Sequence, residues 1–212
     1  RFTREVTGTG ELMVSGRGAH EAIDVFPGVA LDNELSGNVI DLCPVGALLD
    51  KDFLFQQRVW YLTRTPSIDG LTSGGDNISV EHNHGAIYRI KPRTNLDVNG
   101  WWISDEIRWG WKFIHDESRR RLPAVRGHDA WTEEDADTAW DTSLAAAIEG
   151  LRGRRLAVMI SPMLSCEDAW LLGRMARRLD PDATLALGPV PVSDEDKTFP
   201  GGYTLRAEKA PN

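Results

Sequence analysis

"RLAVMISPMLSCEDAWLLGRMARRLDPDATLALG", residues 155–188, decides the fold. The apolar run 155–161 reads as a strand. Ser165, with Asp168 three positions on, opens a capped helix whose apolar positions include Ala169, Leu172 and Met175 at helical spacing. The segment "ATLALG" (183–188) is the next strand. Strand, helix and strand within about 33 residues make a βαβ unit, and a crossover of that length joins parallel strands. No G-x-G-x-x-G follows the first strand, so a dinucleotide there has no support.

Working outward, Thr132 and Asp135 resemble a capping box, and the helix after them is expected to bury Ala136, Trp140, Leu144 and Ile148. Before "DESRRRLPAV" (116–125) the pattern changes. The stretches "RVWYLTRTP" (58–66), "NISVEHNHGAIYRIKPR" (77–93) and "GWWISDEIRWGW" (100–111) read as short strands, with a hairpin turn at Asn83-His84-Gly85. Residues 11–26 form two short runs around "SGRG", a second hairpin, and "GNVIDLCPVGALLDKDF" (37–53) offers a helical turn around Cys43 before Pro44 and Gly46. The expected class is α/β, with a β-rich first half ahead of a parallel α/β part.

Charge and composition narrow the function. A net charge of -8 argues against a nucleic-acid or anionic-membrane surface as main partner. The longest apolar run falls well short of the ~20 residues that span a bilayer, and no signal peptide is visible. The chain starts "RFTREV" without methionine and stops at "RAEKAPN", which reads as a fragment. Two cysteines give neither a disulfide framework nor a complete metal site, and favour a reducing compartment.

The chemistry centres on a few groups. Cys43 precedes Pro44, a pairing that recurs at the last ligand of iron–sulfur sets because the proline ends the segment and holds the thiolate on the iron. Cys166 falls at a helix start, where a thiol pKa is open to lowering, but with no base nearby in sequence it reads as packing. In "PSIDGLTSGGDNI" (66–78), Asp69, Thr72 and Asp76 stand at C-x2-C-x3-C spacing without one thiolate. Hard oxygen ligands are poor substitutes in an iron–sulfur site, and two carboxylates with a hydroxyl are a thin set for Ca2+ or Mg2+. These residues read as solvated turn groups capping backbone amides. Arg119, Arg120 and Arg121 read as a solvated run, and Trp101, Trp102, Trp109 and Trp111 as packing around the loop. His20, His82, His84, His115 and His128 show no ligand spacing.

The segments "RFTREVTGTGELMVSGRGAHEAI", "LSGNVIDLCPVGALLDKDF" and "WWISDEIRWGW", continuing into "SPMLSCEDAWLLGRMARRL" and "ALGPVPV", resemble the large iron–sulfur subunit of NADH-quinone oxidoreductase, respiratory complex I. The resemblance implies that Cys43 is the fourth ligand of a 4Fe-4S cluster whose C-x2-C-x2-C motif ends right before Arg1, and that a 2Fe-2S domain and a further 4Fe-4S segment lie upstream. It implies three domains: 1–58, the end of the cluster-binding domain; 59–115, a degenerate 4Fe-4S β module; and 116–212, the start of a Rossmann-like domain of the molybdopterin-oxidoreductase type. In that module Asp69, Thr72, Asp76 and Ser104 occupy the four ligand positions, so the cluster is lost, as in mitochondrial-type members. No molybdopterin is expected. The implied function is electron relay from NADH and flavin towards quinone, beside the flavin-binding and quinone-proximal subunits of a peripheral arm. That arm lies on the cytoplasmic face of a bacterial inner membrane or in the mitochondrial matrix, with no direct membrane insertion. The alternatives are the arm of an NAD-linked hydrogenase, a formate dehydrogenase and a non-redox assembly scaffold.

Overall fold

The computed structural model describes residues 1–125, 131–132, 135–189 and 195–206, so His128 lies outside the described residues. The chain forms two compact units, residues 1–112 together with 192–211, and residues 113–191.

The first unit opens with α1 (Phe2–Glu5) and the hairpin of β1 (Leu12–Ser15) and β2 (Ala22–Val25), in register Leu12↔Val25 to Ser15↔Ala22. Gly16 and Gly18 of "SGRG" both take positive φ, as expected of the turn. The helix α2 (Asn38–Leu42) ends where Cys43 turns extended ahead of Pro44. Strands β3 (Thr63–Ile68), β4 (Asn77–Asn83) and β5 (Ala86–Pro92) form an antiparallel meander. Its second turn is the two-residue His84-Gly85 loop, φ 46° and 79°, the left-handed pair that matches strand twist.

The stretch 100–111 is not a strand. Ser104 accepts a hydrogen bond from the Ile107 amide and opens α3 (Asp105–Trp109), with Asp105 and Glu106 in the first turn. An N-cap followed by two acids outweighs the aromatic β-propensity of "GWWI".

In the second unit, α4 (Ala136–Leu151), β6 (Ala157–Ile160), α5 (Cys166–Leu179) and β7 (Thr184–Leu187) follow in order, and β6 pairs parallel to β7. The βαβ unit is present as read. Ser165 caps α5 by accepting from the Asp168 amide at 3.1 Å. Two expectations fail here. Thr132 donates its hydroxyl to the Asp135 carboxylate at 2.7 Å, spending both side chains on each other, so the capping box does not form. The stripe on α4 is not buried either: Trp140 is 49% and Leu144 54% exposed, Ile148 is exposed, and Ala139 is the buried residue of the helix. A two-stranded sheet covers little more than the helix laid on it. That helix is α5, which sits on the sheet through Gly173 and Ala176, where a Cβ on Gly173 would touch Leu185 at 3.4 Å; Met175 faces outward.

The chain then returns to the first unit. Strands β8 (Lys197–Thr198) and β9 (Thr204–Leu205) form a hairpin whose Phe199 and Leu205 join Phe2, Leu35 and Val39 in one buried cluster. Its turn lies against the first residues so closely that a Cβ on Gly201 would fall 2.2 Å from the Val6 carbonyl oxygen. No helix among the described residues is long and apolar enough to cross a membrane.

Candidate metal centre

Cys43 and the loop at 69–76 occupy different surroundings in the first unit. Cys43 follows the last residue of α2 and opens into a cavity of about 580 Å3. Arg1, Phe2, Thr3 and Arg4 line that cavity on one side, with Leu12, Val14 and Ile23 of the hairpin on another. The thiol donates to the Val45 carbonyl at 3.0 Å. Hydrogen bonding from the backbone of Val45, then of Leu48 and Ala47, holds the Cys43 thiol below its ordinary pKa. A cysteine sulfur opening into an apolar cavity shared with the first residues of the chain fits one ligand of an iron–sulfur cluster. Among the described residues no group of three or more His, Cys, Asp or Glu is arranged to hold a metal ion, so the other ligands are not here.

The four positions at 4Fe-4S spacing answer differently. Thr72, Asp76 and Ser104 line one small cavity of about 10 Å3, and Asp69 is bonded to Thr72 beside it. All four are buried, which corrects the solvated reading: Asp69 is 6%, Thr72 3%, Asp76 5% and Ser104 0% exposed. The capping half of that reading holds, since Asp69 accepts from the Leu71 amide at 3.0 Å, the Thr72 amide at 2.9 Å and the Thr72 hydroxyl at 2.5 Å. Ser104 caps α3. Tyr203 and Leu205 of the terminal hairpin close the cavity, which holds at most one water. Burial, with the Asp76 charge added, pushes the Tyr203 phenol up to about 12. These residues do not fit a cluster: they offer no thiolate and the space is filled.

Elsewhere most of the tryptophans pack within the first unit, against partners outside the 69–76 loop. Trp102 meets Phe2 edge-on at 4.9 Å, Trp109 donates to Asp50 at 3.3 Å, and Trp111 is buried and donates to the Arg108 carbonyl; Trp101 is exposed. His82 pairs with the Thr65 hydroxyl at 2.9 Å, and Cys166 is exposed at the first position of α5. Arg119, Arg120 and Arg121 are exposed, with Arg119 over the Phe113 ring.

Two family models match the first unit. Residues 1–49 match the NADH-quinone oxidoreductase subunit 3 ferredoxin-like domain, and residues 62–112 match the NADH-ubiquinone oxidoreductase NDSU1/NuoG-like 4Fe-4S domain. These matches support a fragment of the NuoG type. Among NuoG-like relatives, the chain is 40% identical over 151 residues to the NADH dehydrogenase [ubiquinone] iron-sulfur protein 1, mitochondrial, of Solanum tuberosum, covering 70% of this chain and 20% of that protein. It is 36% identical to the 78 kDa subunit of the Neurospora crassa NADH-ubiquinone oxidoreductase, covering 84% and 24%, and 31% identical to an NADH-quinone oxidoreductase subunit of Rickettsia felis, covering 84% and 26%. The chain therefore spans about a fifth to a quarter of the length of the curated relatives it matches. The NuoG-like 4Fe-4S domain is matched by a stretch, 62–112, that contains no cysteine.

Sequence reasoning missed Arg108, Asn38 and Asp41, which tie α3 to the helix that carries Cys43. Their signal was a lone arginine among apolar residues in "WWISDEIRWGW", hidden while that stretch was read as a strand.

Proposed function

We propose that this chain supplies Cys43 as one of four thiolates around a 4Fe-4S cluster in the electron-transfer subunit of an NADH:quinone oxidoreductase, the other three coming from the segment that precedes Arg1 in the longer protein. The observation that carries the proposal is the Cys43 thiol, held below its usual pKa and opening into a cavity walled by residues 1–4. When bound, such a cluster takes up and passes on one electron. The chain's own residues supply the sulfur, the Val45–Leu48 backbone hydrogen bonding around it and an apolar wall on one side of the cavity. Asp69, Thr72, Asp76 and Ser104 bind nothing and hold the neighbouring module together. In this reading residues 1–58 end the cluster-binding domain and 59–115 are the degenerate module, with 116–212 beginning a Rossmann-like domain of the molybdopterin-oxidoreductase type that carries no molybdopterin. The parallel β6–β7 pair with its α5 crossover supports that last assignment.

The subunit sits in a peripheral arm with the flavin-binding and quinone-proximal subunits, on the cytoplasmic face of a bacterial membrane or in the mitochondrial matrix. Low-temperature EPR with iron quantification on the reduced full-length subunit tests this. Cys43→Ala is expected to remove one 4Fe-4S signal, and no further signal is expected from the 69–104 region. An unchanged spectrum would leave Cys43 a packing residue.

A further inference from the structure

The helix carrying Cys43 has five residues, too few to be stable alone, so its position is set by what grips it. The grip comes from α3. Arg108, 4% exposed, places Nη1 2.9 Å from Asp41 Oδ2 and donates from Nη2 to Asn38 Oδ1 at 3.1 Å. Lys91 of β5 reaches the other Asp41 oxygen at 2.9 Å. At the start of α2, Asp105 accepts from the Ser36 hydroxyl at 2.6 Å and the Gly37 amide at 2.8 Å. The fit leaves no room: a Cβ on Gly37 would meet the Arg108 side chain at 2.6 Å. Two helical turns are thus locked by a buried guanidinium fork, and the locked one ends at Cys43.

From this we infer that Arg108, with Asp41, is a positioning residue for Cys43 that also sets the reduction potential of the cluster Cys43 binds. The inference rests on the relay reading above. Its physical basis is that Asp41 lies two residues before the ligand in the chain, and that Arg108 and Lys91 place two cations against the Asp41 carboxylate. Reduction adds an electron to the cluster, so a nearby cation favours the reduced form and an anion opposes it. The segment around α3 lies in the cysteine-free match at 62–112, and Ser104, one of its former-ligand positions, is the residue that caps α3. In this account the cluster-free module acts on the neighbouring cluster through that helix.

The test is EPR-monitored redox potentiometry on the full-length subunit in its assembled complex, comparing Arg108→Gln, Arg108→Lys, Asp41→Asn and Cys43→Ser. Arg108→Gln is expected to keep its iron and to lower the midpoint potential, so that the reduced-to-oxidised ratio at a fixed potential falls by about threefold or more. Asp41→Asn shifts it the opposite way. Arg108→Lys, which keeps the charge and loses the fork to Asn38, stays near the parent potential. Shifts of opposite sign do not arise from a merely loosened helix. If Arg108→Gln fails to incorporate iron, Asp41→Asn decides: an upward shift sustains the inference and an unmoved potential overturns it. Unmoved potentials in iron-replete variants overturn it likewise. A cluster signal whose line shape and midpoint are both unchanged in Cys43→Ser refutes the relay reading itself, a separate outcome.

Discussion

Replacing Asp69 with alanine should loosen the loop that closes β3 onto β4. Three hydrogen bonds end on the Asp69 carboxylate, from the Leu71 amide, the Thr72 amide and the Thr72 hydroxyl. A hydrogen bond to a charged group contributes about 1.5–3 kcal/mol, and orphaning a buried hydroxyl adds a desolvation penalty of about 1–3 kcal/mol. Against this, the variant no longer buries a carboxylate, and the half-buried Leu71 amide regains water. The net cost is about 3 kcal/mol, which multiplies the opening equilibrium by about a hundred. Because the chain has two compact units, a single melting curve is a poor measure, and amide hydrogen exchange on β3 and β4 is the assay. Protection there should fall by about two orders of magnitude in Asp69→Ala while amides of β6 and β7 stay unchanged. Thr72→Val removes one partner and should cost about 1–2 kcal/mol, and the double variant should cost less than the sum, since both changes remove the same 2.5 Å bond. A fall of less than tenfold, or strict additivity, refutes the view that the Asp69 hydrogen bonds hold this loop.

Other outcomes follow from the same structure. Burial pushes the Glu81 carboxyl up, yet Arg89 and Arg64 outweigh it and hold it below the ordinary value; stability from this group is therefore full above about pH 4.3 and is lost as pH falls through the lowered folded pKa, so acid unfolding of Glu81→Gln should show a flatter profile on that side. Gly8→Ala puts a Cβ 2.5 Å from the Gly201 nitrogen at φ +71°, and should cost about 2–3 kcal/mol by prising the terminal hairpin away, seen as faster protease cleavage at Phe199 and Tyr203. In an ultraviolet titration of the three tyrosines, one should ionise at about 12 and vanish in Tyr203→Phe; its titration in the ordinary tyrosine range would show that the hairpin does not cover it.

Several local patterns were legible in the sequence where the partner of a residue lay close in the chain. The βαβ unit, the Ser165 cap and the His84-Gly85 turn each depend on neighbours within a few positions, and each is present. Ser104 failed the same reading because its bond to Ile107 competes with a run of aromatic residues that favours strands. The α4 stripe was a correct helical period whose burial depended on a surface the sequence period does not describe. At the candidate centre Cys43 stood out through Cys-Pro taken together with the family resemblance, whereas Arg108 reaches Asp41 and Asn38 across about 70 positions, a pairing no spacing reveals. Asp69, Thr72, Asp76 and Ser104 stood out in the sequence, but their burial did not, because the hairpin that covers their cavity comes from residues 197–205.

That hairpin belongs to a unit interrupted by another, since residues 113–191 are spliced between the parts at 1–112 and 192–211. On the ribosome the first part emerges complete except for its last strands, and Leu205 follows Lys112 by 93 residues, which at ~5–20 residues per second is a delay of about 5–20 s. Throughout it Phe2, Leu35 and Val39 wait without the side chains of Phe199 and Leu205 against them.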